Sequence, residues 1–313
     1  MRIYNKIPEK SGVFNNPVIT IGSFDGVHSG HRRILKSLLN IARQKSGEAV
    51  VFTFNENPRV ILSPNNPPGI LTTTKEKIQA IEDFGVNNII LIEFTKEMAN
   101  MEADEFFKDI ILKKIGIIDI VVGYDHTFGK NRKGDISFLR EYSKKRGFGV
   151  TQVLPKNLYS RPISSTWIRK EVENGNIAFA NILLGRNYTL LGRVVRGEGR
   201  GRLLGFPTAN VSWDNANKII PGDGVYAVTV KVENSIKNYG MLNIGKNPTF
   251  SNNVRTIEVN IFDFNEDIYD TEIEIKFQDK IRDEVKFNSP DELIEQIKMD
   301  KIRALKILDE GQG

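Results

Sequence analysis

Two of the chain's three histidines fall within one four-residue stretch, His28-Ser29-Gly30-His31. They follow a strand-like run, Val18-Ile19-Thr20-Ile21-Gly22, and a turn, Ser23-Phe24-Asp25-Gly26-Val27. A helical pattern carried by Ile34, Leu35, Leu38 and Ile41 comes next. Glycines at 22, 26 and 30 let backbone approach a bulky anion, and a helix start supplies unpaired N–H groups at the positive end of its dipole. The imidazoles add donors at the same place, so the spacing suits phosphate handling. A tight strand-to-helix turn with surface histidines uses the same residues, and the tetrad alone does not separate the two readings.

Three further clusters have chemical potential. Ser164-Ser165-Thr166 opens a helical pattern that continues to Arg169 and Lys170. An N-cap needs only one hydroxyl. First turns normally favour acidic residues, as at Thr73 with Glu76 and at Ser289 with Glu292, but His31-Arg32-Arg33 and Arg169-Lys170 reverse that charge. A bound polyphosphate would turn the repulsion into attraction. The run from Gly197 to Gly205 contains Gly199, Arg200, Gly201 and Arg202, a glycine loop with charge that can cradle phosphate; a hairpin bounded by arginine has the same composition. The chain has no G-x-x-x-x-G-K-[ST] run, which excludes a P-loop. In Thr256–Ile261, alternation puts Glu258 and Asn260 on the face opposite the aliphatics, as a solvent-facing strand or as a site for a proton acceptor.

The elements that must position these residues come in two rhythms. Apolar runs near 18–22, 49–54, 88–92, 118–122 and 150–154 alternate with helical patterns near 31–45, 74–84, 100–115, 136–146 and 166–184. This predicts an α/β domain over 1–185 with a parallel, Rossmann-like sheet, whose ligands bind at the carboxyl ends of the strands. Beyond that, short runs at 188–196, 224–232, 239–244, 256–263 and 271–278, broken by Gly, Pro, Asn and Asp, predict a small antiparallel barrel or sandwich over 186–313. A final helix is expected from Ser289, with Pro290 at its first position and Glu292 closing a capping box.

Composition narrows the function classes. With 313 residues, 40% hydrophobic and 27% charged, the chain is long enough for two cores and does not resemble a disordered one. It has no cysteine, which excludes disulfides and thiolate chemistry and fits a reducing, cytoplasmic setting. No apolar run reaches the ~18–20 residues of a membrane helix. The net charge of +5, from 44 basic and 39 acidic residues, suits an anionic small substrate without requiring nucleic acid.

Taken in order, Ser-Phe-Asp-Gly-Val-His-Ser-Gly-His and Ile163-Ser164-Ser165-Thr166-Trp167-Ile168-Arg169 resemble the H-x-G-H nucleotidyltransferases of the flavin-nucleotide branch. Gly192–Asn210, with Gly205-Phe206-Pro207-Thr208-Ala209-Asn210 at its end, is similar to the flavokinase signature, which Asn247-Pro248-Thr249-Phe250 and Glu258–Phe264 continue. The chain thus resembles, over nearly its whole length, the bifunctional riboflavin kinase/FMN adenylyltransferase (FAD synthetase) family.

The resemblance implies that ATP phosphorylates riboflavin to FMN and that a second ATP adenylylates FMN to FAD, with Mg²⁺ held mainly by the phosphates. In the first domain His28 and His31 would donate to the phosphates from the loop of Gly22, Phe24, Asp25 and Gly30. Ser164, Ser165, Thr166 and Arg169 would grip the β/γ end, and Asp125 would orient nucleotide or flavin. In the second, Gly199, Arg200, Gly201, Arg202, Gly205 and Pro207 would form the nucleotide loop. Thr208 and Asn210 would serve Mg²⁺, Glu258 would act as base, and Asn247, Pro248, Thr249 and Phe250 would wall the flavin. The family carries an aromatic where His126 stands. The competing readings are a chain with only one of the two activities, an H-x-G-H adenylyltransferase for another cofactor, and an RNA-binding module with steep salt dependence. No membrane partner is expected.

Overall fold

The computed structural model describes residues 1–65, 67–197, 201, 205–213, 215–233, 236–246 and 255–310. The chain divides into two compact units, Met1–Ser165 and Thr166–Gly313.

The first unit runs β1 (Arg2–Tyr4), β2 (Val18–Ile21), α1 (Ser29–Gln44), β3 (Ala49–Phe54), α2 (Pro58–Leu62), α3 (Thr74–Glu82), β4 (Asn88–Ile92), α4 (Lys96–Asn100) and α5 (Ala103–Glu105). From α5 the chain continues as a π-helix over Phe106–Ile115, then β5 (Asp119–Gly123), α6 (Ile136–Arg146), β6 (Gly149–Val153) and a short hairpin of β7 (Asn157–Leu158) and β8 (Arg161–Pro162). Six strands form one parallel sheet in the order β1-β4-β3-β2-β5-β6. Both faces are covered, which is why β2 and β3 read as unbroken apolar runs: every residue of each is buried. Along β3, Val50, Phe52 and Phe54 join Phe106, Phe107, Ile110 and Leu139 on one face. Ala49 and Val51 join Leu35, Leu38 and Ile81 on the other.

From β2 the strand order proceeds one way to β3 and β4 and, after the crossover to β5, the other way to β6. Such a reversal opens a crevice beyond the carboxyl ends of β2 and β5. The loop Gly22–His28 leaves β2 at that point.

The second unit holds α7 (Ser165–Glu173, whose first residue closes the first unit), α8 (Ile177–Leu184), β9 (Tyr188–Val195), β10 (Ala209–Ser212), β11 (Gly224–Val232), β12 (Lys237–Lys246), β13 (Arg255–Ile261), β14 (Glu272–Arg282) and α9 (Pro290–Glu310). Its strands close into an antiparallel barrel, β10-β13-β12-β11-β14-β9, which resolves the expected barrel or sandwich as a barrel. Barrel and helix α9 share a core of Val225, Ala227, Met241, Phe262, Ala304 and Leu308. The helix expected over 166–184 is two helices, broken at Asn174-Gly175-Asn176. Gly175 has φ +76°, and a Cβ there would lie 2.8 Å from Tyr226 Oη. α9 starts at Pro290 as expected, with Glu292 N–H donating to Ser289 Oγ (3.2 Å), but the Glu292 carboxylate accepts from Asn288 N (2.9 Å) rather than from Ser289 N, so only one of the capping box's two bonds forms.

Candidate functional site

Gly22 N–H extends the β2 ladder to Phe52 O (3.1 Å), after which the chain turns sharply. Phe24 (φ +50°), Gly26 (φ +82°) and Val27 (φ +42°) all take left-handed conformations. For a β-branched valine this is strained, and such strain persists only where neighbours over-determine it. Here the neighbour is the stretch Leu71-Thr72. Asp25 Oδ1 accepts from Leu71 N (2.8 Å) and Thr72 N (3.1 Å), and Gly26 N donates to Thr72 Oγ1 (3.0 Å). Asp25 is buried, and this carboxylate oxygen serves the loop's own scaffold.

His28 follows with extended backbone and caps α1: its Nδ1 accepts from Gly30 N (3.2 Å) and His31 N (3.3 Å). An accepting Nδ1 puts the ring's proton on Nε2, so His28 carries one defined N–H donor in its neutral form. The His31 ring stacks on it, centroids 3.7 Å apart at 17°, and meets the Phe24 ring edge-on at 5.2 Å. Burial pushes the His31 imidazolium down to about 3, and its Nδ1 is buried without a partner. The free protein therefore holds His31 neutral in that stack. Gly30 permits it, since a Cβ would sit 3.0 Å from the His28 ring; at Gly22 a Cβ would meet the Phe24 ring at 3.2 Å.

Arg32 stacks over Phe84 (5.3 Å), and Arg33 donates to Pro155 O (3.2 Å).

Ser165 Oγ donates to Asp25 O (3.0 Å), so one of the three expected hydroxyls fastens the loop. Ser164 precedes α7, and Thr166 and Arg169 lie in its first turns, Thr166 exposed and Arg169 half-buried. Asp125 is exposed just past the carboxyl end of β5, the strand beside β2. Next to it His126 has Nε2 buried without a partner, its ring 5.8 Å from Phe128, and burial pushes its imidazolium down to about 4.

In the barrel, Glu258 of β13 lies directly opposite Asn210 of β10 and Asn243 of β12. Residues paired across antiparallel strands point to one face, so the three side chains share it. Thr208 Oγ1 donates to Glu258 Oε2 (3.3 Å), and Asn260 Nδ2 holds Pro207 O (2.7 Å). The glycine positions are required here too. A Cβ at Gly197 would lie 1.9 Å from Asn210 Nδ2, one at Gly201 2.4 Å from Phe206 O, and Gly205 has φ +81°. The expected Gly199, Arg200, Arg202, Asn247, Pro248, Thr249 and Phe250 lie outside the described residues.

The Thr208 hydroxyl, the Asn210 amide oxygen and the Glu258 carboxylate form a small set of hard oxygen donors. Among the described residues no group of three or more His, Asp or Glu side chains is arranged to hold a metal. Such a sparse set fits Mg²⁺ arriving with phosphates, and fits Zn²⁺ poorly. Asn243, placed opposite Glu258 by β12 register, was not foreseen, because no local pattern announces that register.

An FAD synthetase family model matches residues 11–167, and a riboflavin kinase family model matches residues 184–308. The chain is 36% identical over 293 residues to the bifunctional riboflavin kinase/FMN adenylyltransferase of Bacillus subtilis, covering 92% of each chain. It is 37% identical over 306 residues to the enzyme of that description from Buchnera aphidicola, covering 96% of each. A crystal structure from Streptococcus pneumoniae, described as a macrolide-efflux protein, superposes with a TM-score of 0.87 at 34% identity, covering 96% of this chain and 98% of that one. Among the described residues no helix is long and apolar enough to cross a membrane.

Proposed function

The chain belongs to the bifunctional riboflavin kinase/FMN adenylyltransferase family and converts riboflavin to FMN and FMN to FAD; from this premise we propose which residues carry each step. The functional boundary lies near residue 185, a division supported by family matches that end at 167 and resume at 184.

In adenylyl transfer an FMN phosphate oxygen attacks the α-phosphorus of ATP, the α–β bridging bond breaks, and pyrophosphate leaves. The nucleophile is already ionised, so no general base is needed, and catalysis is positioning plus charge stabilisation. His28 donates from Nε2 to phosphate oxygen. His31, neutral when the site is empty, gains affinity for a proton beside polyphosphate and then donates as well. Ser164, Thr166 and Arg169 bind the β/γ end, and Asp125 orients nucleotide or flavin. Ser165 and Asp25 hold the loop.

In the kinase step the terminal ribityl hydroxyl attacks the γ-phosphorus and ADP leaves. That hydroxyl must lose a proton, and Glu258, oriented by the Thr208 hydroxyl, accepts it. Thr208 and Asn210 would hold Mg²⁺, which when bound neutralises charge on the phosphates. The observation that supports this most is the Thr208–Glu258 hydrogen bond with Asn210 directly opposite. Zero cysteine and phosphorylated small-molecule substrates favour a cytoplasmic enzyme acting on riboflavin, FMN and ATP.

The test is a time course with riboflavin, ATP and Mg²⁺, FMN and FAD being resolved by chromatography. FMN should appear first and FAD follow, and a chelator should stop both. FMN alone would remove the first domain's assignment, and neither product would remove both.

A further inference from the structure

Neither reaction step has been given a use for Asn243, yet strand register sets it directly beside Glu258. The pairing continues on both sides: Asn210 of β10 lies opposite Glu258, Asn243 opposite Val225 of β11, and Val225 opposite Arg282 of β14. Residues paired across antiparallel strands point to one face, so the barrel carries one row, Asn210-Glu258-Asn243-Val225-Arg282. Val225 belongs to the core shared with α9, and Arg282 bonds Asp300 of that helix. The row therefore runs along the outer face of the barrel, and α9 covers its far end. Towards the other end Asn243, Glu258 and Asn210 are only half-buried, open enough to meet a substrate.

The row has a chemical order. Thr208 and Asn210 supply oxygen at the phosphate end, and Glu258 follows as proton acceptor. The reacting hydroxyl must lie between Glu258 and the γ-phosphate, so the rest of the ribityl chain extends the other way. One strand further, about 4.8 Å on, stands Asn243. A polyol whose terminal hydroxyl is at Glu258 brings its inner hydroxyls to that distance. A carboxamide offers both an acceptor oxygen and N–H donors, which matches hydroxyls that donate and accept.

The charge around Asn243 argues for a neutral ligand there. The Glu284 carboxylate lies over the backbone of Gly245, which shares a face with Asn243: a Cβ at Gly245 would fall 1.7 Å from Glu284 Oε1. Arg255 and Arg282 are each spent on another acid, Arg255 Nη2 on Asp223 (2.6 Å) and Arg282 Nη2 on Asp300 (2.8 Å). An acidic rim repels polyphosphate and leaves a neutral polyol unaffected.

We propose that Asn243 is a specificity-determining residue for the kinase step: its carboxamide hydrogen-bonds the inner hydroxyls of the ribityl chain while the terminal hydroxyl meets Glu258. The inference rests on reading the barrel as the riboflavin kinase with Glu258 as its base.

The test gives full-length protein riboflavin or a flavin with an ω-hydroxypentyl side chain, which keeps the terminal hydroxyl and lacks the inner ones. Wild-type protein should favour riboflavin in kcat/KM by about tenfold or more, the scale of a hydrogen-bonding group left without its partner. Asn243→Ala should lower kcat/KM for riboflavin by about tenfold, leave that for the analogue within about twofold, and leave KM for ATP unchanged. Retained turnover of the analogue would show the barrel and Glu258 intact, which a merely structural role does not predict. Equal losses on both flavins, no loss on riboflavin, or a raised KM for ATP would each overturn the proposal, as would a wild-type protein indifferent to the inner hydroxyls. If the analogue turns over too slowly to measure, fluorescence titration gives Kd for both flavins with both proteins, and the same ratio decides. If Asn243→Ala is insoluble, the near-isosteric Asn243→Leu takes its place with the same outcomes. Riboflavin phosphorylation that is absent from wild-type protein, or unchanged in Glu258→Gln, would instead remove the kinase reading on which the proposal stands.

Discussion

His28 does two jobs with two nitrogens, and the two can be separated. Nδ1 caps α1, a contact worth about 0.5–2 kcal/mol at a helix start, and on the proposed reading Nε2 serves phosphate. His28→Ala should therefore lower the melting temperature and reduce FAD formation by about 100-fold or more, the scale of a lost oxyanion donor, with riboflavin phosphorylation intact. His28→Asn, which can still cap, should recover most of the melting temperature and little of the FAD formation. The dyad was legible in the sequence because H-x-G-H is rare in a chain with three histidines. The capping nitrogen was not, since histidine is not a usual N-cap. His31 and His126 make a second residue-scale prediction. Both are held neutral by burial, at about 3 and about 4, whereas in the unfolded chain they take up protons below about 6.5. The unfolded state therefore binds more protons as pH falls, and stability should drop from pH 6.5 downward. Denaturant unfolding at pH 7 and pH 5 should show this, and His126→Phe should shrink the difference.

At the scale of elements, the barrel depends on how α9 is fastened. Asp300, 1% exposed, receives Arg282 Nε at 3.1 and 2.9 Å and Nη2 at 2.8 Å, and Gln296 Nε2 at 2.8 Å. Removing one member of a buried pair leaves an uncompensated charge, so Asp300→Ala should cost about 3–5 kcal/mol. Kinase activity should then fail at lower temperature than adenylyltransferase activity, as an activity-versus-temperature curve for each reaction would show. The strands 18–22, 49–54, 88–92 and 118–122 were readable because a sheet covered on both faces leaves mostly apolar runs, whereas 150–154 is the half-buried edge strand and carries Thr151 and Gln152. β1 and β10, with three and four residues, were not readable, since they owe their existence to pairing with β4 and with β9 and β13. For Arg32 and Arg33, charge at a helix start gave no sign of their contacts with Phe84 and Pro155.

At the scale of the whole molecule, the proposed reading puts proton-accepting chemistry after residue 185 and base-free phosphate positioning before it, with FMN the product of one step and the substrate of the other. The most direct test mixes two single variants, each defective in one step. His28→Ala should turn riboflavin into FMN and stop there. Glu258→Gln should leave riboflavin untouched yet convert added FMN to FAD. Mixed in equal amounts with riboflavin, ATP and Mg²⁺, the two should produce FAD that neither forms from riboflavin alone. A mixture that forms no more FAD than its components would contradict the division of labour between His28 and Glu258.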